Sequence, residues 1–159
     1  MLEVEVSVGE LIDKLSILHV KKNKITQESK LVEVEKEYNS LQSKANYYFQ
    51  DENILNMFHK LTSVNEKLWD VEDLLRKHEK NQNFDNEFIE LARLVYYTND
   101  ERFSIKNEIN KMTNSNIREQ KSYEDYSTKK TFIYESPDNG KTVYRREFGK
   151  AHNTRERLK

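Results

Sequence analysis

The chain has no cysteine, one proline and only three glycines among 159 residues. Without cysteine there is no disulfide framework, no thiolate metal site and no cysteine nucleophile. The glycines stand at 9, 140 and 149 and the proline at 137, so residues 10–136 contain neither of the residues that punctuate chains. A sandwich, a barrel or a doubly wound α/β fold needs many tight turns in such a stretch, and all three are excluded. No window approaches the roughly 18 apolar residues of a membrane span, and the opening MLEVEVSVGEL has no basic segment followed by an apolar run. A soluble, cytoplasmic protein without a membrane partner is expected.

What is present is charge, at 35% of the chain, and a lean set of large aliphatic and Phe residues: 14 Leu, 9 Ile, 10 Val and 7 Phe. That quarter of the chain is enough to fold, and it suits narrow bundles or oligomers that complete their burial across an interface. The net charge of −1 hides a split: residues 1–120 carry 17 basic against 22 acidic side chains, and residues 121–159 carry 10 against 6. The C-terminal part is a separate, basic electrostatic object.

Residues 2–8 alternate as a half-buried strand does, with Leu2, Val4, Val6 and Val8 on one side and Glu3, Glu5 and Ser7 on the other. Ser7 stands three residues before Glu10, the spacing of a capping box, and Val8, Leu11, Leu15, Leu18 and Ile25 continue at helical spacing to about residue 25. A second stripe, Leu31, Val34, Tyr38, Leu41, Ala45 and Tyr48, predicts a helix over 30–47. Asp51 caps a third helix whose stripe Met57, Leu61, Val64, Leu68, Val71 and Leu75 holds heptad spacing until Lys80. After a polar turn over 81–84, Asp85 caps a fourth, with a seam of Phe88, Leu91, Val95, Thr98, Arg102, Ile105, Ile109 and Met112. Long heptad helices with short connections pack antiparallel.

Beyond Asn114-Ser115-Asn116, the segments 131–135 and 141–148 are rich in β-branched and aromatic residues, and Ser136-Pro-Asp-Asn-Gly140 supplies the turn of a hairpin. A lone hairpin is marginal, so it needs a packing partner or a third strand. Residues 2–7 or a neighbouring subunit are the candidates, and 149–159 read as a frayed basic end. The expected architecture is mainly α: an extended antiparallel bundle of about four helices over 1–126, with a short N-terminal strand, and a β-hairpin with a basic tail over 127–159.

Two polar rows need explaining. Asn65, Trp69, Glu72 and Arg76 share one face of helix 3, and Arg93, Tyr96, Asn99 and Asp100 form a matching set on helix 4, with Arg102 in the apolar seam itself. A buried arginine requires a carboxylate, and Glu72 or Asp100 is expected opposite Arg102. The set reads as a network fixing the register of two heptad helices, or as an anion pocket built from Arg93, Arg102 and Lys106. Carboxylates at Glu10/Asp13, Glu87/Glu90 and Glu66/Asp70 have spacings that facing helices use for Mg²⁺, but such spacings arise by chance among 28 acidic residues, and no metal ligand is assigned. His19, His59, His78 and His152 show no ligand spacing, and no motif calls for a cofactor. Arg145, Arg146, Lys150, Arg155 and Arg157 are candidate phosphate contacts, which makes nucleic-acid binding the weaker alternative.

The blocks Val4–Leu18, Val64–Asp73, Leu91–Tyr96, Asn99–Arg102 and Ile105-Lys106 resemble an uncharacterised family of small helical proteins of marine bacteria and their phages, over roughly residues 4–126. The segment 134–149 resembles a short stretch of cyanophage hypothetical proteins. The resemblance implies no activity and transfers no catalytic residue. It implies that the blocks around Trp69 and Arg93 are shared, and that the hairpin belongs to a phage-like branch. The reading is a non-enzymatic interaction or assembly module, a homodimer or a binder of a host protein, presenting aromatic and charged surface from a rigid rod with the hairpin as a docking element. The alternatives are an all-α nucleotide or sugar-nucleotide binding protein, or a Mg-dependent pyrophosphohydrolase-like enzyme, and nucleic-acid binding through the tail.

Overall fold

The computed structural model describes residues 4–124 and 131–159. The chain divides into two compact units, Met1–Glu119 and Gln120–Lys159. The division read from the sequence at 126/127 falls on residues outside those described.

The first unit is made of α1 (Val8–Lys24), α2 (Glu28–Ala45), α3 (Glu52–Asn81) and α4 (Asn86–Met112). Their starts follow the capping logic of the sequence. Ser7 Oγ accepts the Glu10 amide, Asp51 accepts that of Asn53, and Asp85 accepts that of Phe88. Gln27, ahead of α2, makes no side-chain cap, and α2 is also the least buried helix, with Ala45 its one buried residue. Its predicted stripe is nevertheless the one that packs: Leu31, Val34, Tyr38, Leu41 and Tyr48 are half-buried around Ala45. The turn between α3 and α4 closes through Gln82 in the left-handed region (φ 53°) and a bond from the Asn83 amide to the His78 carbonyl.

The core joins Ile12 and Leu15 of α1 to Ile54, Met57, Phe58, Leu61 and Val64 of α3 and to Ile105 and Ile109 of α4. The sequence stripes hold for α3, and for α4 as far as Ile109; Met112 is exposed, because the helix ends there. The stripe on α1 is corrected. Ile12, Asp13 and Ser16 are fully buried while Leu11 and Ile25 are only half-buried, because α1 contacts all three other helices and is enclosed on a wide face. His19 stacks edge-on against Phe58, which gives it a packing role. At 1.5 Å per residue, α3 and α4 are about 45 Å and 40 Å long and α1 only about 26 Å. A stretch of the α3/α4 pair therefore runs past the end of α1.

Residues 4–7 form no strand, and Val4 and Val6 are exposed; residues 2 and 3 of the expected strand lie outside the described residues.

In the second unit, β1 (Phe132–Glu135) and β2 (Tyr144–Glu147) pair antiparallel, with Ile133 opposite Arg146 and Glu135 opposite Tyr144. The third strand is neither the N-terminus nor another subunit: β3 (Glu156–Arg157) pairs with β2, and residues read as a frayed end complete the sheet. The connection between β1 and β2 is organised by Asp138, which accepts both the amide and the hydroxyl of Thr142, and it turns through Asn139 and Gly140 at positive φ.

Among the described residues no helix is long and apolar enough to cross a membrane.

Candidate functional site

Where α1 crosses α3 and α4, a polar network sits inside the apolar core. Asp13 is fully buried and takes two hydrogen bonds from Arg102, Nε to Oδ1 at 2.8 Å and Nη2 to Oδ2 at 2.6 Å. Asn65 donates its two amide hydrogens to Asp13 Oδ1 (3.0 Å) and Ser16 Oγ (2.8 Å), and Ser16 donates to the Asp13 carbonyl. Arg102 Nη1 reaches Asn99 Oδ1 at 3.4 Å. The Asp13 bond holds the guanidinium above its ordinary pKa, against the opposing effect of burial. The carboxylate expected from Glu72 or Asp100 is thus corrected to Asp13: the seam at Arg102 faces α1, while Glu72 turns outward to Arg76 at 3.0 Å.

One turn further along α4, Lys106 is buried and its ammonium contacts Glu10 (2.6 Å) and Glu119 (2.7 Å). Burial pushes this lysine down, but the two carboxylate hydrogen bonds together outweigh it and its pKa is raised. Beside it, Gly9 lets α1 approach α4 closely. A Cβ there would lie 2.5 Å from the Lys106 carbonyl oxygen and 2.8 Å from Asn110 Oδ1. The first amides of α1 are all taken, Val8 by Ser115 Oγ, Gly9 by Asn110 Oδ1 and Glu10 by Ser7 Oγ. This helix start is closed to an anion.

The structure therefore splits the predicted rows. Asn65 and Arg102 meet at Asp13, Asn99 accepts from Arg102, and Lys106 joins the second cluster. Glu72 and Arg76 pair on the surface, and Arg93 donates to the Tyr96 hydroxyl at 3.2 Å, with Tyr96 stacked on Tyr97. Asp100 is half-buried, and its carbonyl accepts from Ser104. Trp69 is half-buried in the wall of a cleft of about 250 Å³ at the C-terminal end of α1, with Arg102 in its lining. Two of the three carboxylate pairs with metal-like spacing hold cations of the protein itself: Glu10 and Asp13 take Lys106 and Arg102, and Glu66 and Asp70 take Lys24. Sequence reasoning missed the roles of Asp13, Ser16 and Glu119. The available signal was that Glu10 and Asp13, three apart, match Arg102 and Lys106, four apart, across two packed helices.

His78, Asp85 and Glu87 come close at the α3/α4 turn, with ligand-type atoms within 4.8 Å of one another. Their bonds serve the turn, since His78 Nδ1 lies 3.0 Å from the Asn83 carbonyl oxygen and Asp85 caps α4. Past the end of α1, the α3/α4 pair carries an apolar groove formed by Leu75, Phe88, Ala92 and Val95, rimmed by Glu72, Arg76 and Glu79. On the same stretch of α3, α4 and their turn, Leu74, Phe84, Ile89 and Tyr96 are 39–52% exposed.

Four of the five basic residues singled out in the second unit are bound within it. Arg145 pairs with Glu156, Arg146 and Arg155 with Glu135, and Arg157 donates to the Lys159 carbonyl. Arg145 also lies over the Phe132 ring and Arg155 over that of Tyr144. Lys150 is exposed.

The sequence of this network and bundle matches one known family, described as a family of unknown function (DUF6165), over residues 2–139. The chain belongs to that family. The match continues past residue 126 through β1, so the first strand of the sheet lies within the family's span, and β2 and β3 lie beyond it. No curated protein and no protein of solved structure matches the chain.

Proposed function

We propose that the protein is a non-enzymatic helical assembly module that pairs with a second copy of itself through the α3/α4 surface past the end of α1. The observation that carries this reading is the groove of Leu75, Phe88, Ala92 and Val95. It continues the heptad seam of both helices, yet α1 ends before it, and Ile89 and Phe84 at the same end of the pair are more than half exposed, at 52% and 51%. Clustered apolar surface of this kind, rimmed by polar side chains, marks an interface. The rim carries both signs, with Glu72, Arg76 and Glu79 on α3. The rim sums to a single negative charge, too little to select a strongly charged partner, whereas an isologous copy offers the same mixed rim and the same apolar strip. The lean core supports the reading too, since a bundle with so few large apolar residues gains by completing its burial in a dimer.

In this reading the Asp13, Asn65 and Arg102 network has a positional role. It fixes the height of α1 against α3 and α4, and so where the seam becomes uncovered. Size-exclusion chromatography with light scattering tests the proposal. A mass of two 19.1 kDa chains is expected, falling to one on Phe88→Glu. A host component, the partner implied by a phage origin, would use the same face; a wild-type monomer would favour it over the second copy.

A further inference from the structure

The cleft at the end of α1 contains a cation that the fold leaves unmatched. Its walls are apolar on two sides, with Ile17 and Val20 of α1 and Leu68 and Trp69 of α3, and Lys21 and Arg102 bring its positive groups. Glu72 borders both this cleft and the α3/α4 groove, and its carboxylate is matched by Arg76 at 3.0 Å.

Asp13 matches Arg102 in the same way. Lys21, half-buried in the lining, pairs with no carboxylate among the described residues. One positive charge is therefore left over. The neighbouring cluster, where Glu10 and Glu119 share Lys106, has a surplus carboxylate, but it does not cancel Lys21. Glu10 and Lys21 stand eleven residues apart on α1, about 16 Å along the helix, which is roughly two Debye lengths at physiological salt.

Arg102 adds donors without adding net charge. Of the five N–H groups of a guanidinium, Nε and one on Nη2 go to Asp13 and one on Nη1 goes to Asn99, so one N–H remains on each terminal nitrogen. Two adjacent N–H groups of this kind suit the two oxygens of a planar carboxylate. Asn65 has no donor to add, since both its amide hydrogens are spent on Asp13 and Ser16.

Charge and size narrow the ligand further. One unmatched cation suits a monoanion, whereas a phosphate group carries about two charges at pH 7 and would leave the second without a partner. The volume, about 250 Å³, lies below the roughly 300–1,000 Å³ of drug-sized sites, so there is room for one ring. We infer that this cleft binds a small monocarboxylate bearing a single apolar ring. The carboxylate sits between Lys21 and the free edge of Arg102, and the ring lies against Trp69.

Trp69 is the chain's single tryptophan, so its emission reports on the cleft that it lines. The full-length protein is titrated with benzoate and phenylacetate, with their neutral isosteres benzamide and phenylacetamide, and with acetate and inorganic phosphate. A saturable change is expected with at least one of the ring acids, its amide binding about tenfold more weakly, and no saturable change with acetate or phosphate. Lys21→Met keeps the length of the side chain and removes its charge. It should raise the Kd of the acid about tenfold, the effect of one charge-assisted hydrogen bond, and leave that of the amide unchanged. Lys14→Met, which removes a lysine of the same helix paired with Glu37, should change neither. An amide that binds as tightly as its acid, saturable binding of phosphate, no saturable response to either acid, or an unchanged acid Kd in Lys21→Met would each overturn the inference. The titration is repeated in Phe88→Glu, whose oligomeric state differs in the assembly reading. The acid should bind there with the wild-type Kd, because a single chain lines the cleft, and loss of binding would overturn the assignment. A wild-type monomer that still binds the acid defeats the assembly reading alone.

Discussion

Arg102 and Asp13 lie 89 positions apart in sequence and meet in the core through two hydrogen bonds, at 2.8 and 2.6 Å. Removing one partner leaves the other charge buried and unpaired. Asp13→Ala should destabilise the fold by about 3–5 kcal/mol in urea denaturation, whereas Asp13→Leu with Arg102→Met, which removes both charges, should recover most of that loss. Equal destabilisation by the single and double changes would show that the pair is not coupled.

Gly9 gives a prediction whose sign is diagnostic. Alanine is the better helix former by about 1 kcal/mol, so an unconstrained site would gain stability from the change. Here the new Cβ would meet backbone at 2.5 Å, and Gly9→Ala should instead cost about 1–3 kcal/mol. A rise in melting temperature would contradict the close approach of α1 to α4.

The helix positions were largely legible because local chemistry sets them: Ser7, Asp51 and Asp85 begin the helices that they were expected to cap. The inward face of α1 was less legible, since periodicity finds apolar positions, while Asp13 and Ser16 are buried by partners on other helices. A carboxylate's partner half the chain away leaves no local trace, and Glu72 and Asp100 were simply nearer candidates. The strand β3 was hidden because Glu156 and Arg157 carry no β-branched or aromatic signal; a charge pair with Arg145 accompanies the pairing.

Lys106 links stability to alkaline pH. Its pKa is raised in the folded state, so its contribution is complete below the unfolded lysine value, about 10.4, and is lost as pH rises through the higher folded value. Thermal melts of the wild type against Lys106→Met should converge as pH climbs through that range. Parallel curves would show that Lys106 does not titrate with folding.

Asp85 acts at the other end of the scale. The Phe88 amide holds its carboxyl below the usual aspartate range; desolvation opposes this, and the Asn83 side chain adds a lesser contribution in the same direction as the amide. Its stabilisation is in place above the ordinary aspartate value and is lost as pH falls through the lowered one. Asp85→Asn keeps a capping side chain and should flatten this part of the acid profile, and Asp85→Ala should lower the melting temperature at neutral pH. An unchanged acid profile in Asp85→Asn would remove the cap from the account.

The uncovered α3/α4 seam is the central claim, and the absence of cysteine allows one clean measurement. A nitroxide placed at Arg76→Cys on the groove rim is the chain's only thiol label, so any dipolar coupling arises between two chains. Strong coupling that disappears on dilution with unlabelled protein is predicted at Arg76, with weaker coupling for a label at Lys36→Cys on α2. No coupling at Arg76, or stronger coupling at Lys36, would contradict the assignment of this face to a second copy.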